Sequence, residues 1–254
     1  MGLEMFSLQG KIAVVTGGGR GLGRAIAEGF AEAGADVVLV ARTQAQLDAA
    51  ARHIEGLGRR AHPVAADVTK RRDVEHVVAE AVQRFGQIDI LANVAGMNIE
   101  GPSAEQTEED WDAVLAVNLK GCYLGCQTVG RHMIERGGGR IINMSSIGGL
   151  IGIARNSAYT AAKAGIIMLS RSLAVEWARY RINVNALCPG YFITDINRDY
   201  FASESGQAFI KRFIPLRRTG QIEEIKGAAI FLASPASNFM TGSALVIDGG
   251  QTAW

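Results

Sequence analysis

KIAVVTGGGRGLGRAIAEGFAEAG (11–34) carries three signals in succession. KIAVVT (11–16) is a short apolar run with β-branched residues, as a buried strand requires, and LGRAIAEGFAEAG (22–34) has the apolar period of a helix closed by Gly34. TGGGRGLG (16–23) joins them. Glycines there let the backbone turn tightly and approach a pyrophosphate, while a helix N-terminus turns unpaired N–H groups toward anions. The spacing, Gly17-x-x-x-Gly21-x-Gly23, is not G-x-G-x-x-G, and no Gly-Lys-Ser/Thr follows as in a P-loop. A glycine-rich turn between strand and helix nevertheless predicts dinucleotide binding.

The same alternation continues outward. Strands are expected at DVVLVA (36–41), 60–66, IDILANV (88–94), RIINMSS (140–146), INVNALC (182–188) and ALVID (244–248). Helices are expected at 44–57, 71–85, 107–135, 157–178 and 222–233, the long one starting at Thr107 with Glu109 and Asp110 in its first turn. Near-continuous apolar strands alternating with helices predict an α/β fold, a parallel sheet of about seven strands with helices on both faces. No linker or shift of composition divides residues 1–254, so one Rossmann-type domain is expected. Ligands bind outside the carboxyl ends of such strands.

Composition narrows the function classes. A hydrophobic fraction of 48% supports a large core, and a net charge of +1 argues against a nucleic-acid surface. No apolar run approaches the ~20 residues of a membrane helix. MGLEMFSLQGK lacks a signal-peptide core, and Phe6 stands where myristoylation needs Ser or Thr, so a cytoplasmic location is expected. Cys122, Cys126 and Cys188 read as reduced core thiols. His53, His62, His76 and His132 are dispersed, and no metal site is expected.

The second strand ends in VART (40–43), with Arg42 where an acid would accept the ribose 2′-OH of NAD. Arg20, in the glycine turn, adds a second guanidinium. Two such forks suit a 2′-phosphate, so NADP(H) is favoured, with NAD(H) possible. After the fifth strand comes Ser146, then Tyr159 and Lys163, four apart and therefore on one helix face. Asn118 lies inside the preceding long helix, where asparagine is less favourable than alanine and asks for a reason.

Thr16-Gly-x-x-x-Gly-x-Gly23, Asn93-Val-Ala-Gly96, Asn118, Ser146, Tyr159-x-x-x-Lys163 and Pro189-Gly190 with Thr194 occur in this order over almost the whole chain. That ordered set resembles the short-chain dehydrogenase/reductase family. The resemblance implies nicotinamide-dependent alcohol–carbonyl interconversion by a homodimer or homotetramer. Tyr159 would be the acid/base, Lys163 would lower its pKa and hold the nicotinamide ribose, Ser146 would bind the substrate oxygen, and Asn118 would hold a water in a proton relay. Tyrosine's unperturbed pKa of ~10 makes that lowering necessary. The cofactor would meet Gly17, Gly19, Arg20, Gly21, Leu22 and Gly23 in the turn. Asp67 and Val68 would meet the adenine, while Asn93, Ala95 and Gly96 would close over the adenosine ribose. Pro189, Gly190 and Thr194 would meet the nicotinamide end. The family's usual NNAG is NVAG here, so Val94 removes one amide. DGG (248–250) is expected to be structural.

The substrate is a small carbonyl or alcohol, covered by a lid at about 191–213. Asn98, Gly149, Arg155 and Tyr191 are its candidate contacts beside Ser146. Arg198, Lys211 and Arg212 could meet an anion, whereas 97–109 carries Glu100, Glu105, Glu108 and Glu109 and no base. Trp177 after Glu176, with the PGYF-x-T-D-x-N run, is most similar to gluconate 5-dehydrogenase-like members, which implies a polyol, sugar or sugar acid. A 3-oxoacyl-(acyl carrier protein) reductase shares every catalytic residue and is the alternative; its carrier protein would look for basic residues such as Arg131, Arg155 or Lys211. A non-catalytic NADPH-binding regulator is the alternative of another class, and it would most simply arise by loss of Tyr159, Lys163 or Ser146.

Overall fold

The computed structural model describes residues 2–194 and 197–253; Asp195 and Ile196, in the expected lid, lie outside the described residues. The strands are β1 (Ile12–Thr16), β2 (Asp36–Ala41), β3 (Ala61–Ala65), β4 (Ile90–Asn93), β5 (Gly139–Met144), β6 (Ile182–Pro189) and β7 (Ala244–Ile247). The helices are α1 (Gly21–Glu32), α2 (Gln44–Gly56), α3 (Arg71–Phe85), α4 (Glu108–Leu115), α5 (Gly121–Arg136), α6 (Ser157–Trp177), α7 (Arg198–Ala202), α8 (Glu204–Phe213) and α9 (Glu224–Ala233). All seven strands pair in parallel in the order β3-β2-β1-β4-β5-β6-β7. The chain therefore steps out from β1 to β3 and returns to the other side of β1 at β4. That reversal opens a crevice at the carboxyl ends of β1 and β4.

The period of two along each strand sorts the core into two layers. From β1, Ala13 and Val15 pack with α1, α2 and α9, whereas Val14 packs with α3, α5 and α6. Both faces are covered, so β1 is buried throughout. Among the described residues, no helix is long and apolar enough to cross a membrane. All three cysteines are free and buried.

Polar side chains tie the second layer together. Asn93, at the end of β4, donates its amide to Asn143 Oδ1 on β5 at 2.9 Å, and Asn143 donates to Ser170 on α6 at 2.9 Å. The Cys126 thiol of α5 donates to the same Asn143 oxygen at 3.3 Å. Satisfied in this way, buried amides fix the register of two strands and two helices.

The helix expected over 107–135 is not continuous. Thr107 caps α4 as expected, accepting from the Asp110 N–H at 3.1 Å. A π turn at Ala116–Lys120 then separates α4 from α5. Asn118 sits in it and donates its amide back to the Val114 carbonyl at 2.9 Å. Such turns are usually found at functional sites, and apolar periodicity does not reveal them because both flanking helices keep their stripe.

The segment expected to form a lid has an apolar cluster of its own. Phe201, Ile210 and Ile214 are buried together on and beside α7 and α8, with Tyr191 and Phe209 against them. Asp248 is structural as expected: its carboxylate accepts from the Gly250 and Thr252 N–H groups, both at 2.8 Å.

Candidate active site

A cleft of about 800 Å³ runs along the carboxyl ends of β1, β2, β4, β5 and β6. At one end lies the glycine turn. Gly17 adopts φ +71, and a Cβ on it would stand 2.9 Å from the Ala95 nitrogen. A Cβ on Gly23 would meet the Gly17 carbonyl oxygen at 2.2 Å, so the turn closes onto α1 only with glycine there. Gly17, Gly19, Arg20, Gly21, Leu22 and Gly23 all line the cleft. The exposed Arg20 and Arg42 border the same end, with Asp67 and Val68 beside them. Burial by itself would raise the Asp67 carboxyl; hydrogen bonds from Thr69 and the charges of Lys70 and Arg42 hold it below its usual value.

At the next strand ends, Ala95 and Gly96 line the cleft and Asn93 does not. Asn93 was expected among the cofactor contacts. Its side chain faces the other way, into α5 and β5, because it is the last residue of β4 and alternation turns it from its neighbour. Val94, replacing the family's second asparagine, lines the cleft and donates its backbone N–H to Thr16 Oγ1 at 3.0 Å.

Ser146, Tyr159, Lys163 and Asn118 converge in the middle of the cleft. Ser146 leaves β5 and is buried. Its Oγ accepts from the Gly148 N–H at 3.1 Å, which fixes the turn before α6. Tyr159 and Lys163 share one face of α6, the ammonium nitrogen lying 5.4 Å from the ring centroid. Lys163 is 3% exposed and donates to the Met144 carbonyl at 2.8 Å. Burial lowers its pKa to about 8.

Burial also pushes the Tyr159 phenol above its ordinary value, against a smaller downward pull from its hydrogen bond with Ser146. In the protein alone, burial outweighs the pull of Ser146, and Lys163 is not among the groups that lower the phenol. The ammonium faces the ring and is hydrogen-bonded to Met144, while phenolate formation has to overcome desolvation.

Asn118 donates its amide to the Met97 carbonyl at 2.7 Å as well as to Val114. Its Oδ1 is buried with no hydrogen-bond partner, and a Cβ on Gly96 would sit 2.7 Å from that oxygen and 3.5 Å from Lys163 Nζ. A bare glycine edge, an orphaned acceptor and a buried ammonium thus meet at one point. That orphaned acceptor and the glycine cradle at Gly17 and Gly23 fit a bound dinucleotide.

Pro189, Gly190, Tyr191 and Thr194 close the far end, together with Asn98. Two expected substrate contacts are elsewhere. Gly149 is buried-side packing: a Cβ there would lie 2.7 Å from Ser145 Oγ and 2.8 Å from the Lys163 carbonyl oxygen. Arg155 does not line the cleft and is turned to Glu100, its Nε 3.1 Å from the carboxylate. Arg198, Lys211 and Arg212 are likewise not among the lining residues. Glu100, Asn156 and Asn197 line it without having been expected to. Both asparagines are N-cap residues, of α6 and α7, which is the signal by which the sequence could have marked them.

A family profile described as Enoyl-(Acyl carrier protein) reductase matches residues 17–252. The chain is 41% identical over 247 residues to an NAD-dependent glycerol dehydrogenase of Listeria innocua, covering 97% of this chain and 96% of that one. It is 39% identical over 249 residues to the gluconate 5-dehydrogenase of Gluconobacter oxydans, covering 98% and 97%. The crystal structure of a gluconate 5-dehydrogenase from Burkholderia cenocepacia in complex with NADP and tartrate superposes with a TM-score of 0.95 at 39% identity, over 100% of each chain.

Proposed function

The chain belongs to the short-chain dehydrogenase/reductase family, and from that premise we propose that it interconverts a secondary alcohol and a ketone of a polyol, sugar or sugar acid, using NADP(H). The observation that carries the reading is the convergence of Ser146, Tyr159, Lys163 and Asn118 in a cleft whose other end is a glycine turn flanked by Arg20 and Arg42. When bound, the nicotinamide supplies or accepts the hydride.

The remaining steps are the work of the chain itself. The Ser146 hydroxyl, set by the turn at Gly148, hydrogen-bonds the substrate oxygen and holds it at Tyr159. Tyr159 gives its phenolic proton to the forming alkoxide, or takes it back in the oxidative direction. Half-buried and partly desolvated, Tyr159 resists ionisation, which suits the acid role and demands a nearby positive charge for the base role. Lys163 holds that charge on the same helix face. Asn118 Oδ1, buried without a partner, would accept from the water of a proton relay behind Lys163. Arg20 and Arg42 would hold a 2′-phosphate through charge-assisted hydrogen bonds.

The polyol and sugar-acid assignment is supported by the names of the relatives, and that of NADP by the ligand of the Burkholderia structure. A homodimer or homotetramer is supported by exposed apolar residues at one helical stripe of α6, Met168 and Val175, with Tyr123 exposed on α5. The regulator reading is disfavoured because Tyr159, Lys163 and Ser146 are all present. A Tyr159→Phe variant tests the mechanism. It should bind NADPH with an unchanged dissociation constant by fluorescence titration and lose about 10³-fold or more in kcat. Turnover at the wild-type rate would overturn the role given to Tyr159.

A further inference from the structure

The inference concerns which of the proposed substrates the cleft selects, and it rests on the oxidoreductase reading above. The far end of the cleft is bounded by Met97, Asn98, Glu100, Asn156, Tyr191 and Asn197. One of these carries a charge, and it is an acid. Among the described lining residues, the cations are Arg20 and Arg42, grouped with the glycine turn, and Lys163, which is buried and hydrogen-bonded to Met144. The base nearest Glu100 by hydrogen bonding is Arg155, and it does not line the cleft. Of the pair, Glu100 lines the cleft and Arg155 does not.

Glu100 stands at the exposed rim, its side chain 58% exposed, but its loop is held in place. The loop bearing it is tied to the segment before α6 at three points. The Gly101 N–H donates to the Arg155 carbonyl at 2.9 Å, Arg155 Nε donates to the Glu100 carboxylate at 3.1 Å, and Asn98 Nδ2 donates to Asn156 Oδ1. Arg155 holds φ +65, a left-handed backbone that non-glycine residues adopt at some cost, so the geometry there is imposed by the surroundings. Burial chiefly raises the Tyr191 phenol's pKa, followed by Tyr200, Tyr159 and, last, the charge of Glu100. A carboxylate offers about four lone-pair sites and accepts hydrogen bonds without donating any. It accepts from adjacent hydroxyls of a polyol and repels a second carboxylate.

We propose that Glu100 is a specificity-determining residue that selects an uncharged polyhydroxy alcohol or ketone and rejects an aldonic acid. Asn98 and Tyr191 supply further hydrogen bonds to hydroxyls, and Arg155 acts as the positioning residue for Glu100. Like charge set against like is the repulsive half of a specificity device.

The test compares xylitol, ribitol and erythritol with D-gluconate, following NADP+ reduction and, separately, calorimetric binding of each compound to the protein saturated with NADP+. The wild type should favour at least one neutral polyol over D-gluconate by about tenfold or more in kcat/KM. Glu100→Gln should narrow that ratio by about tenfold through the KM for D-gluconate, and Glu100→Arg should narrow it further. Arg155→Met, which keeps the carboxylate and removes its partner, should widen it. A wild type that prefers D-gluconate, or a ratio that none of the three variants moves, overturns the inference while leaving the oxidoreductase reading intact. Failure of both classes of compound to be oxidised or bound overturns the substrate reading and this inference with it.

Discussion

Replacing Asn93 by alanine separates two roles that the side chain could have. Its amide donates to Asn143 Oδ1 at 2.9 Å, to Cys126 Sγ at 3.3 Å and, at the edge of hydrogen-bonding distance, to the Cys122 carbonyl at 3.4 Å. Without it, Asn143 Oδ1 keeps only the weak thiol donor of Cys126. Leaving a buried carbonyl short of its N–H partner costs about 1–3 kcal/mol. The void left by an amide between β4 and α5 adds about 1 kcal/mol. The sum is about 2–4 kcal/mol, and at about 2–4 °C per kcal/mol for a chain of this length the melting temperature should fall by about 4–16 °C. Because Asn93 does not line the cleft, the Kd for NADPH should stay within about threefold of the wild type. Differential scanning fluorimetry reads the first quantity and fluorescence titration the second. An unchanged melting temperature together with a Kd raised tenfold would refute the reasoning and return Asn93 to the cofactor.

Lys163→Met should make the protein more stable and inactive. The folded pKa of Lys163 is about 8, below the ~10.4 of an unfolded chain. Between those values the native state binds fewer protons than the unfolded one, so the lysine's contribution improves as pH rises through that window, and below pH 8 its full cost is present. The gain from Met, a few kcal/mol at pH 7 in order of magnitude, should therefore shrink toward pH 10, as thermal melts at the two pH values would register. Arg42→Asp should weaken NADPH binding by about 10–100-fold and leave NADH binding unimpaired, because the lost charge-assisted hydrogen bonds reach only the 2′-phosphate. An unaltered preference between the two would count against Arg42 as the phosphate residue.

Local features were legible wherever neighbouring residues determine them. The strand, glycine turn and helix at 11–34 follow from composition and period, and so does the cap at Thr107. Tyr159 and Lys163 share a face because four residues nearly complete a helical turn. The π turn at Ala116–Lys120 was hidden, since one added residue per turn leaves no mark in composition. Asn156 and Asn197 were legible as helix starts, while their place on the cleft depended on the tertiary structure.

Residue types in order therefore sufficed for the parallel sheet, the glycine cradle and the identity of the four catalytic candidates. Direction, burial and partnership came from chain segments far apart in sequence. Asn93 points away from the cleft because Asn143, fifty residues on, receives its amide. Glu100 lines the cleft and Arg155 does not, the two paired at 3.1 Å across fifty-five residues of chain. Tyr159 is an acid reluctant to ionise because the packed cleft strips its water. Such properties depend on which atoms surround a group in space, and nearness in space is what folding adds to nearness along the chain.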